Sequence, residues 1–107
     1  MASNSYRFTE KAESDLDEIL GYISLNLGNP TAAKSFYEEL FSKIDLIRDF
    51  PESCEKVRNE YVKRDDVRKA LVGNYVVYYV HEPKEMLVTI LRIVYGGRNL
   101  EELIRLL

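Results

Sequence analysis

Lys69, Arg92, Tyr95 and Arg98 are the side chains whose types and placement could do chemistry on a charged target. Arg92 is the odd charge within the apolar run Leu87–Tyr95. An unpaired buried cation is costly, so Arg92 must reach an edge, pair with a carboxylate or point into a groove. Arg98 follows Tyr95-Gly96-Gly97, where two glycines turn the chain out of that run and put a cation at its rim. Cys54 and His81 are each the only residue of their kind. One thiol and one distant imidazole make a poor nucleophilic dyad and no zinc ligand set. His81 stands at a strand end before a turn, where a solvated residue is the simpler reading than a general base.

The elements that must hold these residues are legible from spacing. Val67–Val72, Tyr75–His81 and Leu87–Tyr95 are rich in Val, Ile, Tyr and Leu and bounded by turn residues, which predicts three strands of an antiparallel meander. Gly73-Asn74 is a two-residue hairpin turn, and Glu82–Glu85 a longer one with Pro83 presetting φ. In the first strand Val67, Lys69 and Leu71 share one face and Arg68, Ala70 and Val72 the other. In the last, Leu87, Thr89, Leu91, Ile93 and Tyr95 alternate with Val88, Ile90, Arg92 and Val94. Tyr6–Phe8 is a short further strand.

Between them lie two helices. Thr9 caps the first, whose stripe is Ala12, Leu16, Ile19, Leu20, Ile23 and Leu27, with Asp15, Asp17 and Glu18 as a solvated face and Gly28 closing it. Asn29-Pro30 starts the second, striped by Ala33, Phe36, Tyr37, Leu40, Phe41, Ile44 and Ile47 and stopped before Phe50-Pro51. The tight connection makes them an antiparallel helical hairpin. Glu52–Asp66 is irregular, its Lys56, Arg58, Lys63 and Arg64 interleaved with acids and Tyr61-Val62 a possible anchor. After Arg98, Asn99 and Glu102 resemble a capping box for a short helix in the apolar tail Leu100–Leu107. The expected class is α+β: one domain over residues 1–107, with an N-terminal strand, a helical hairpin on a small, mostly antiparallel sheet of about four strands, and a short C-terminal helix.

Composition narrows the function classes. With 46% hydrophobic and 31% charged residues the chain reads as a globular protein, and no apolar run approaches the roughly 20 residues of a membrane span. No signal-peptide layout opens it, so a cytoplasmic location is expected. Residues 1–53 hold 5 Lys/Arg against 10 Asp/Glu, and residues 54–107 hold 10 against 8. Bulk charge therefore argues against a strongly cationic nucleic-acid binder and leaves room for a local basic site.

The order of elements, with the ending Arg92-x-x-Tyr95-Gly-x-Arg98-Asn99-x-x-x-Leu103, resembles the RelE/ParE superfamily of toxins from type II toxin–antitoxin systems over Tyr6–Leu106. The resemblance implies a small bacterial growth inhibitor, of a class that includes plasmid-stabilisation proteins, neutralised by a cognate antitoxin encoded beside it and working without metal or cofactor. RelE-type members cut messenger RNA in the ribosomal A site, where a cluster of Lys, Arg and a C-terminal Tyr stabilises charge on the scissile phosphate. That cluster falls on Lys69, Arg98, Val76, Val67 and Ile104, so three of its five positions are apolar here. Arg68, Arg92 and Tyr95 are the substitutes, with Arg68 on the opposite strand face from Lys69. ParE-type members act on DNA gyrase by protein contact, and Arg92-x-x-Tyr95-Gly-Gly-Arg98-Asn99 looks closer to them, although Tyr95 stands where they often carry His. Three readings follow: a gyrase poison using Arg92, Tyr95, Arg98 and Asn99; a ribosome-dependent endoribonuclease using Lys69, Arg98, Arg92 and Tyr95; and a non-toxic module that keeps only antitoxin binding. Leu100–Leu107 and the Phe36/Tyr37/Phe41 face are the candidate surfaces for an amphipathic antitoxin helix.

Overall fold

Capping chemistry sets the start of both helices. The computed structural model describes residues 3–57 and 65–96. Strand β1 (Ser5–Phe8) leads into helix α1 (Glu10–Gly21), and the Thr9 hydroxyl accepts the Ala12 N–H at 3.1 Å. The same hydroxyl donates to the Leu91 carbonyl at 2.8 Å, so the cap also ties α1 to the sheet. Helix α2 (Pro30–Asp49) starts on Asn29, whose side chain accepts from Ala32 N–H at 3.0 Å, with Pro30 in its first turn.

The first helix does not run unbroken to Gly28. It relaxes into a π-helical turn over Tyr22–Asn26, and Gly28 then takes φ +60°, the left-handed conformation that favours glycine.

The meander forms as expected: β2 (Arg68–Val72), β3 (Tyr75–Glu82) and β4 (Leu87–Tyr95) are successive antiparallel neighbours. Gly73, at φ +58°, makes the first turn possible. A 3₁₀ turn at Pro83–Glu85 and a left-handed Met86 make the second. Strand β1 joins β4 in parallel, Ser5 opposite Leu87 and Phe8 opposite Ile90, giving the order β1-β4-β3-β2.

The helical hairpin covers one face of this sheet. Ala12 and Ile19 of α1 and Phe36, Leu40, Ile44 and Ile47 of α2 meet Ala70, Val72, Val77, Tyr79, Val88, Ile90 and Ile93. Leu40, Ile44 and Ile47 are fully buried. Each such side chain contributes about 1.5–3 kcal/mol of transfer free energy, which is why the hairpin lies on the sheet rather than beside it. The other sheet face carries a second buried cluster of Val67, Val76, Tyr78, Val80 and Val94, with Val57 and Leu91 packed against it.

Strict alternation fails in β4. Tyr78 pairs with Arg92 and Tyr79 with Ile90, so Leu91 is an extra residue forming a β-bulge. The bulge flips the phase of the strand. Ile90 and Ile93 both face the helices, while Leu91 joins Val94 on the far face. The sequence expectation that Leu91 and Ile93 share a face is corrected by that one inserted residue. Arg98, the Asn99/Glu102 capping box, the Leu100–Leu107 tail and Tyr61-Val62 lie outside the described residues.

Candidate functional site

The bulge and the end of β1 together shape the surroundings of Arg92. Pairing with β1 stops at Ile90, which leaves the outer edge of β4 open beyond that point. Asp15 of α1 occupies this edge. Its carboxylate accepts from Arg92 Nε at 2.8 Å and from a terminal guanidinium nitrogen at 3.1 Å, and it also accepts the Ile93 backbone N–H at 2.9 Å. Both side chains are 13% exposed. The bond to Asp15 raises the pKa of Arg92 above the ordinary guanidinium value, outweighing the opposing effect of burial. Asp15 is therefore not part of a solvated face, as helical spacing alone suggests. Its partner lies 77 residues away in sequence.

Lys69 projects from β2, and its amine lies 3.6 Å from a Glu55 carboxylate oxygen, a pair open to solvent. The neighbouring Arg68 turns the other way and donates to the Cys54 carbonyl at 2.6 Å and to the Glu52 carbonyl at 3.3 Å. It clamps the segment after α2 onto the sheet edge, where Lys56 forms an isolated bridge opposite Arg68. Tyr95 is half exposed at the end of β4, its ring edge-on to Tyr75 with centroids 5.8 Å apart. Arg98 lies outside the described residues. Lys69 and Arg92 are both cross-strand partners of Tyr78, so the three form one row across the sheet.

That row runs over an apolar surface. Val67 is 1% and Val76 5% exposed, in the same cluster as Tyr78. The Tyr78 hydroxyl is buried without a hydrogen-bond partner among the described residues, and burial pushes its pKa up. Tyr79, on the helix face, donates to the Pro51 carbonyl at 2.9 Å, and burial is the main reason its pKa is also raised. His81 Nε2 lies 3.1 Å from Asn4 Oδ1, an arrangement that ties the start of β1 to β3.

Sequence reasoning missed two features. One is Asp15. The other is an open pocket of about 290 Å³ between the end of α1 and the ends of β3 and β4, lined by Asp15, Glu18, Tyr22, Tyr75 and Tyr95. No periodic signal connects Tyr22 with Tyr75 and Tyr95; only the packing of α1 along β4 does. Among the described residues no three His, Cys, Asp or Glu side chains gather as a metal ion requires, and no helix is long and apolar enough to cross a membrane.

Known proteins share this architecture. The toxin–antitoxin complex RelBE2 from Mycobacterium tuberculosis contains a chain that matches with a TM-score of 0.61 at 21% identity, covering 88% of this chain and 99% of that one. The chromosomal ParDE system from P. aeruginosa matches at 0.67 and 19%, covering 87% and 96%. The archaeal RelE–RelB complex from Pyrococcus horikoshii matches at 0.59 and 17%, covering 92% and 100%. No curated protein sequence matches. The model of the ParE toxin of type II toxin–antitoxin systems matches residues 6–100, which takes in β1, both helices and the whole meander. A chain built on this hairpin-on-meander scaffold and matched along nearly its full length belongs to the ParE toxin family of type II toxin–antitoxin systems.

Proposed function

We propose that this toxin arrests growth by protein contact with DNA gyrase, through the rim of Arg92, Tyr95, Arg98 and Asn99, and that a cognate antitoxin neutralises it. The observation that carries this reading is the burial of Val67 and Val76. These are two of the positions where the resemblance to RelE-type ribonucleases calls for cations, and both sit in an apolar cluster. Losing one oriented donor to a transition-state charge costs roughly two to three decades in rate. Arg92 is neutralised by Asp15 and Lys69 is drawn to Glu55, which weakens the remaining field further. The antitoxin partner is supported by family membership and by the toxin–antitoxin complexes among the similar structures.

A ribosome-dependent ribonuclease is the second reading. Its support is the single cross-strand row of Lys69, Tyr78 and Arg92, which brings two cations and a phenol to adjacent strands. The deciding experiment adds the purified chain to gyrase and supercoiled DNA, with message ends mapped after induction in a bacterial host. Trapped gyrase–DNA complexes with intact messages are expected. Unchanged gyrase cleavage would overturn the proposal, and codon-phased cuts abolished by Arg98→Ala would establish the ribonuclease. Absence of growth arrest would leave only the non-toxic antitoxin-binding module.

A further inference from the structure

We propose that the pocket framed by Tyr22, Tyr75, Tyr95 and Glu18 seats an arginine side chain of the antitoxin. That the donor is an antitoxin rests on the function proposed above; the preference for a cation rests on the pocket alone.

Three aromatic rings from distant parts of the chain converge here. Tyr75 and Tyr95 are register partners at the ends of β3 and β4, set edge to face at 71°. Phe36 holds Tyr75 from the core side, with ring centroids 5.0 Å apart. Tyr22 is the first residue of the π-helical turn and is half exposed. Burial, and after it the neighbouring phenols of Tyr22 and Tyr95, push the Tyr75 pKa up, so its ring is neutral at physiological pH and presents a π face.

The charge around these rings is net negative. Asp15 and Glu18 both line the pocket; Asp15 is paired with Arg92, and Glu18 acts on Arg92 only at longer range, with no ion pair of its own among the described residues. From Glu10 to Glu18 the first helix carries five carboxylates against Lys11 alone. An anionic ligand is repelled by this field, and an apolar side chain would strip water from Glu18 without replacing it. A cation gains from both the carboxylate and the ring faces. A guanidinium suits the site better than an ammonium, because its plane stacks on tyrosine while its fork engages a carboxylate.

The surroundings favour a protein partner. In the turn that Tyr22 opens and just after it, Leu25 is 81% and Leu27 59% exposed, two large apolar side chains without cover in the same segment. Exposed apolar side chains of this size mark a protein contact, and the antitoxin of the proposed function is the partner that would cover them.

The test titrates the purified chain with N-acetyl-arginine amide, its lysine counterpart and the uncharged citrulline analogue, following tyrosine ring signals by NMR. Saturable shifts of Tyr22, Tyr75 and Tyr95 are expected for arginine, weaker ones for lysine and none for citrulline. Tyr22→Leu and Glu18→Gln, both on exposed side chains, should each weaken binding about three- to tenfold with an unchanged melting temperature. Equal responses to arginine and citrulline, or no saturation, would overturn the cation site. In a second arm, affinity for the antitoxin encoded beside the toxin is measured, a readout independent of toxicity. The Tyr22→Leu/Glu18→Gln double variant should lose at least tenfold. Arginine binding with undiminished antitoxin affinity would overturn the antitoxin as donor, whereas a chain that binds both yet arrests no growth would defeat only the toxin reading.

Discussion

Replacing Asp15 with alanine should destabilise the fold far more than removal of an ordinary helix-surface acid would. The side chain accepts three hydrogen bonds, two from the Arg92 guanidinium and one from the Ile93 N–H, and is 13% exposed. Truncation leaves a largely buried cation without its counter-charge, a change that costs about 3–5 kcal/mol in buried pairs. It also orphans a backbone donor on the open edge of β4, worth about 1–3 kcal/mol where water cannot replace the bond. Partial exposure of both groups moderates the sum, so about 3 kcal/mol is expected. For a domain of this size that corresponds to a fall in melting temperature of roughly 10–15 °C. Urea unfolding followed by circular dichroism reads it directly. The comparison that matters is Arg92→Leu, which removes the cation but leaves Asp15 bonded to Ile93. It should cost less than half as much, and the double variant should show positive coupling between the two sites. A loss below about 1 kcal/mol for Asp15→Ala, or equal losses for the two single changes, would refute the view that the carboxylate staples α1 to the strand edge.

Tyr78→Phe should raise stability by about 1 kcal/mol in the same assay, because it deletes a buried hydroxyl that has no partner among the described residues. Stability should also fall at alkaline pH. Burial raises the pKa of Tyr78 and Tyr79 in the folded chain, so above about pH 10 the unfolded chain releases protons that the folded one keeps, and the loss grows up to the folded pKa values. A flat melting temperature between pH 9 and 11 would contradict this. Gly28→Ala should cost about 1 kcal/mol in urea unfolding, since the φ of +60° penalises any Cβ even though nothing crowds the site.

What the sequence made legible were features that depend on near neighbours. Thr9 and Asn29 announce helix starts because a short polar side chain can reach back to an N–H three residues on. Gly73-Asn74 announces a hairpin because one of its residues must take positive φ. The features that escaped depend on partners far along the chain or leave no residue signature. Leu91 looks like any strand leucine, yet the ladder treats it as an insertion and turns Ile93 toward the helices. Asp15 sits among Asp17 and Glu18 with the same local spacing as a solvated acid, and only Arg92 distinguishes it. The π-helical turn likewise leaves no signature in the residue spacing, and Tyr22, its first residue, lines the pocket.

The parallel pairing of β1 with β4 has a consequence for how the molecule comes into being. Strand β1 cannot find its place until β4 exists, since Phe8 meets Ile90 across a gap of 82 residues. At ordinary synthesis speeds of about 5–20 residues per second, the opening segment waits roughly 4–16 s for its neighbour. The helical hairpin can form during that interval, but its apolar stripes have no finished sheet to lie on. A sheet assembled from the two ends of the chain in this way also closes slowly, because the loop entropy is lost before the contacts form. The sheet is thus closed only once β4 has been made, however early the helical hairpin forms.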